Sequence, residues 1–141
     1  MPLWGRLYST FWLAFFSWVL IPRWMGTHLG LPLHVLLGLA MLVLAWTNAQ
    51  RLAASPVPAR LKRISKVTAG FATFQIAGGL ALGIVTHAVP SLLMVSGVLR
   101  ASHVVGALTI LAQTSSVATA YDMWEEREFA APLPPSASQG D

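Results

Sequence analysis

The sequence predicts an all-α integral membrane protein, a four-transmembrane-helix antiparallel bundle, and three observations lead there. Apolar residues make up 55% of the 141 and charged residues only 10%, with a mean hydropathy of +0.64. An ordinary soluble domain carries about 25% charged residues, so this chain is too poor in charge to clothe a water-facing surface. The apolar residues fall into four segments, about 7–22, 31–50, 66–87 and 92–121, and a helix crosses the bilayer with about 20 of them. The connections are short, which sets consecutive helices antiparallel.

The first segment is the shortest. Trp4, Tyr8 and Trp24 flank it as interfacial anchors, while Phe11, Trp12, Phe15, Phe16 and Trp18 within it read as lipid-facing or packing residues, with a nearby quinone as the alternative. Arg6 ahead of a hydrophobic run also fits a signal peptide. However, Pro22, Arg23 and Trp24 stand where small cleavage-site residues belong. The second and third segments are long enough to span, and the third is rich in glycine: Gly70, Gly78, Gly79 and Gly83, the last two forming a G-x-x-x-G. Such glycines pack helices closely or let a flat ligand approach the backbone. The fourth segment ends at Tyr121, and 122–129 continue the helix into water or along the interface. The proline-rich remainder of the tail, to Asp141, has too little apolar content for a core and is expected to be disordered.

Charge sets the orientation. All five acidic residues lie after Tyr121, and eight of the nine basic ones precede it. Arg51, Arg60, Lys62, Arg63 and Lys66 crowd the second connection, against Arg23 alone in the first and no Lys or Arg in 87–91. The positive-inside bias places this loop and both termini in the cytoplasm, with the chain in the inner, cytoplasmic-type membrane. Topogenesis accounts for the loop, and binding of anionic lipid is its other reading. No nucleic acid is expected as a partner; the lipid bilayer is, with a homo-oligomer or a larger respiratory complex beside it. With no carboxylate from Met1 to Tyr121, this chain offers no intramembrane Asp or Glu for acid–base chemistry. With no cysteine, disulfides, iron–sulfur clusters and thiolate zinc sites are excluded.

Two histidines carry the candidate chemistry. His34 lies 17 residues before Arg51 and His103 lies 19 before Asp122, or roughly 26 and 28 Å of helix, so both sit at one depth in the outer part of the membrane. Segments two and four run parallel in the expected bundle and face each other across its centre. That arrangement suits a bis-histidine haem b, whose iron takes one imidazole from each side. Gly38 follows His34 by four residues and Gly106 follows His103 by three, placing small residues where a porphyrin nears the backbone. Arg100, one turn outward of His103, would meet a haem propionate or a lipid phosphate. His28 and His87 fall at the outer interface, expected to be solvated or bonded to a propionate, with ligation of the iron as the alternative. The alternative for His34 and His103 is two polar side chains satisfied by neighbouring helices.

The run Phe74-Gln75-Ile76-Ala77-Gly78-Gly79-Leu80-Ala81-Leu82-Gly83, then His103-Val104-Val105-Gly106-Ala107-Leu108, resembles a helix pair of the haem A synthase family, whose members oxidise the methyl group of haem O. His34-Val35-Leu36-Leu37-Gly38-Leu39 resembles that family's histidine-led even helix. The resemblance covers roughly residues 7–121. It implies two similar four-helix halves in the usual member, each with histidines on its even helices, so that His34 and His103 would be the ligand pair of one half. This chain is half that length, has no acidic residue in its first segment and has no cysteine pair; the departures bear on oxidation of haem O more than on haem binding. The expectation is a b-type haem-binding module in electron transfer or haem handling. The alternatives are a half-size haem A synthase acting as an oligomer, as an oxidoreductase, and a cofactor-free accessory subunit.

Overall fold

The computed structural model describes the backbone of residues 1–88 and 93–130, and their side chains except those of 20–24, 88, 93, 129 and 130. The Trp24 anchor, the turn between the third and fourth segments and the proline-rich tail lie outside the described residues or side chains. Four helices make up the described chain: α1 (Leu3–Trp24), α2 (Gly30–Ala54), α3 (Ala59–Ala88) and α4 (Leu93–Ala130). Three of them, over Gly30–Ala54, Ala59–His87 and Met94–Glu128, are long and apolar enough to cross a membrane. These are the helices of a membrane protein.

The helices outrun the apolar segments mainly at the end nearest the 55–58 turn. α3 begins at Ala59 and takes in Arg60, Lys62, Arg63 and Lys66, and α4 carries on through Asp122, Glu125, Glu126 and Glu128. Charge ends an apolar segment without ending a helix, because Lys, Arg and Glu are good helix formers. The turn is made instead by Ser55, Pro56 and Pro58. Ser55 leaves helical geometry at ψ 161° while its N–H bonds to the Leu52 carbonyl at 3.2 Å. The Pro58 carbonyl then accepts from the N–H of Leu61 at 3.0 Å and opens α3.

Each helix packs on its two neighbours in the order α1, α2, α3, α4 and back to α1; among the described residues the diagonal pairs bring no Cα atoms within 8 Å. Cross-links fix an antiparallel register. Arg6 Nη2 donates to Thr47 Oγ1 at 2.6 Å, Trp46 Nε1 to Thr73 Oγ1 at 3.0 Å, Gln75 Nε2 to the His103 carbonyl at 2.7 Å, and the Tyr8 hydroxyl to Asp122 Oδ2 at 3.4 Å.

The core occupies one end of this bundle. Nearest the 55–58 turn, Leu7, Leu52, Leu61, Val117 and Tyr121 form an apolar layer. Farther along, Ile110 sits among Ala14, Ala45, Ala49, Ala69 and Ala72, small side chains that let four helices approach one another in the way membrane helices pack. Beyond that level burial stops almost at once. Among the described residues, only Gly30 and Gly106 are buried in 30–44 of α2 and 94–109 of α4, and none is in 15–19 of α1 or 76–87 of α3.

Candidate functional site

The loosely packed end is where His34 and His103 meet. α2 and α4 are diagonal, yet the two imidazole centroids lie 5.9 Å apart with their planes at 66°, so both side chains reach inward across the bundle. Each is only partly buried as a residue, but each Nδ1 is buried and has no hydrogen-bond partner among the described residues. A buried polar atom left unbonded costs about 1–3 kcal/mol. Two such atoms at one level mark a place built to give something lone pairs or N–H groups.

α3 supplies the wall behind His103. A Cβ built on Gly79 would lie 3.2 Å from His103 Cε1, so the missing side chain is what lets the ring rest against α3. Gln75, one turn nearer the core, donates through Nε2 to the His103 backbone carbonyl, while its own Oε1 is buried without a partner. In an α-helix that carbonyl normally accepts from the N–H four residues on, and a carbonyl oxygen has a second lone pair for the amide. The amide therefore ties α3 to α4 at His103 without opening the helix.

Gly38 and Gly106 also face α3. A Cβ on Gly38 would stand 3.2 Å from Ile76 Cδ1, and one on Gly106 would run into the Gln75 carboxamide, 2.7 Å from its Cδ. The geometry gives both glycines a helix-packing role. Gly78 and Gly83, by contrast, have open space where a Cβ would go. Arg100 is exposed, as are His28 and His87; none of the three belongs to the histidine pair.

Sequence reasoning missed Gln75 as a site residue and read Gly79 only through its spacing to Gly83. A signal for Gln75 does exist, since it is the single carboxamide in the apolar stretch 67–86, although its partner is fixed only by the register between α3 and α4.

The donor set also limits what metal species fits. Among the described residues no three His, Cys, Asp or Glu side chains gather to hold a metal ion, and two imidazoles are too few for a bare ion of the kind that takes four protein ligands. A metal carried in a macrocycle brings four ligands of its own. Imidazoles bound from both faces of such a metal, with metal–nitrogen distances of about 2 Å, have ring centroids roughly 6 Å apart, which matches the observed separation. In number and separation the two imidazoles are the donor pair such a group takes. Comparison with protein families, curated proteins and solved structures finds no match to this chain.

Proposed function

We propose that this chain is a four-span membrane module that holds one b-type haem between His34 and His103, and that it serves electron transfer or haem handling in a respiratory complex. The observation that carries the proposal is the histidine pair itself. Imidazoles from two diagonal helices lie 5.9 Å apart in the loosely packed end of the bundle, each with a buried nitrogen that has no hydrogen-bond partner among the described residues. The sequence supports the same reading through the matched depth of the two residues and the resemblance to one half of haem A synthase.

In this proposal α1 is the fourth span, and the basic turn and both termini face the cytoplasm, so the haem lies near the outer face. A haem held this way would supply a one-electron couple. His34 and His103 would hold its iron, Gly79 lets the His103 ring lie close to α3, and Gln75 holds the His103 backbone in register with α3. Gly78 and Gly83 leave a smooth strip of α3 at the open end. Oxidation of haem O draws less support from these residues, since no carboxylate precedes Asp122.

The test is a reduced-minus-oxidised absorption spectrum of the protein purified from a haem-replete membrane. The expected result is the sharp α-band of a low-spin b-type haem. A featureless difference spectrum would overturn the proposal and favour a cofactor-free accessory subunit.

A further inference from the structure

A second polar site lies at the other end of the bundle, away from the histidines. Between the apolar layer of Leu52 and Leu61 and the alanine layer around Ile110, all four helices turn polar side chains onto one small cavity of ≈ 20 Å³, room for about one water. α1 contributes Thr10, α2 Asn48, α3 Ser65 and Thr68, and α4 Thr114. Each is at most 5% exposed. In a membrane bundle such groups have to be satisfied internally, and most of them are. Thr10, Thr68 and Thr114 donate to the carbonyls of Arg6, Ile64 and Leu111, and Asn48 donates to Thr10 Oγ1 at 2.8 Å while accepting from Arg6 Nε at 3.2 Å.

Ser65 is the exception. It is 4% exposed, lines the cavity, and makes no hydrogen bond through its hydroxyl to any described residue. Thr68, on the same helix, bonds back to the carbonyl four residues earlier; Ser65 does not. Thr68 and Thr114 have spent their protons on backbone carbonyls, so toward the cavity they offer lone pairs only. One free hydroxyl and two or more acceptor oxygens are the partners that a buried water takes, typically about three hydrogen bonds each.

We propose that this chamber is a water-binding site, its water held by the Ser65 hydroxyl and by Thr68 and Thr114 and closed off from the histidine pair by Ile110 and the alanines. Water fits better than a cation. No carboxylate precedes Asp122 to balance one, and the Arg6 guanidinium already occupies Asn48 Oδ1. The site stands independently of the haem proposal, since it lies on the far side of the alanine layer.

The direct test is water-to-protein magnetisation transfer by solid-state NMR on the intact chain in lipid vesicles. Transfer to Ser65, Thr68 and Thr114 is expected, with none to Ala69, Ala72 or Ile110; no transfer to the hydroxyl residues would overturn the proposal. Ser65→Ala gives a second reading, since the Ser65 hydroxyl bonds to no described residue and its removal forfeits only a bond to water. A hydrated chamber should lose about 2–8 °C in Tm, whereas a rise would show a dry one. Exchanging sodium chloride for choline chloride should leave Tm unchanged, and a fall would replace water with a bound cation.

Discussion

Alanine at either His34 or His103 is expected to abolish or sharply reduce the low-spin haem spectrum, while alanine at His28 or His87 leaves most of it. An iron held by two imidazoles loses its low-spin state when one is removed, since alanine carries no lone pair and lipid offers none in its place. The contrast among the four histidines follows from their positions. His34 and His103 meet across the bundle, whereas His28 and His87 are exposed. The fold should survive in all four variants, because alanine is a good helix former at His34, His87 and His103, His28 lies exposed in the connection before α2, and the changes at His34 and His103 also remove a buried unbonded nitrogen. Circular dichroism showing full helix content alongside a lost haem band would separate cofactor loss from unfolding. An intact spectrum in His34→Ala or His103→Ala would move the ligand assignment elsewhere.

The second large effect is expected at Gly106. Any side chain there collides with the Gln75 carboxamide, and that carboxamide is what ties α3 to the His103 carbonyl. Gly106→Ala should therefore push Gln75 aside and forfeit the tie. The lost bond is worth about 0.6 kcal/mol on average between membrane helices, and because the overlapping atoms are the far end of a flexible side chain, moving them aside adds little more. Gly106→Leu should do more and reduce haem retention as well. A double-mutant cycle isolates the mechanism. In a Gln75→Ala background, Gly106→Ala should cost little further stability, because the obstructing group is gone; full additivity of the two changes would show that Gly106 acts through some other neighbour. Thermal unfolding of the four proteins in one detergent supplies the cycle.

Much of this site is legible in the sequence because charges mark depth in a membrane protein. Arg51 and Asp122 set the near boundary, and counting back from them puts His34 and His103 at one level on residue spacing alone. The helix ends on the side of the 55–58 turn are less legible: hydropathy changes sign at Lys66 and Asp122, but the backbone hydrogen bonding that defines a helix does not depend on hydropathy. Gln75 and Gly79 escape because their importance lies in what they touch, and His103 is 28 residues from Gln75. The polar chamber is further still from view. Thr10, Asn48, Ser65, Thr68 and Thr114 are spread over four helices, and singly each reads as an ordinary small polar residue in an apolar helix. Only the antiparallel register brings them to one cavity.

The central claim is that one haem sits between one pair of histidines in each chain, and the most direct measurement is the ratio of haem to polypeptide in the purified protein, by pyridine haemochrome against quantitative amino-acid analysis. The account predicts about one b-type haem per chain, in keeping with one bis-histidine pair per iron. A ratio near zero from haem-replete membranes, or about one haem per two chains, would contradict it, the first by removing the cofactor and the second by placing the iron between subunits.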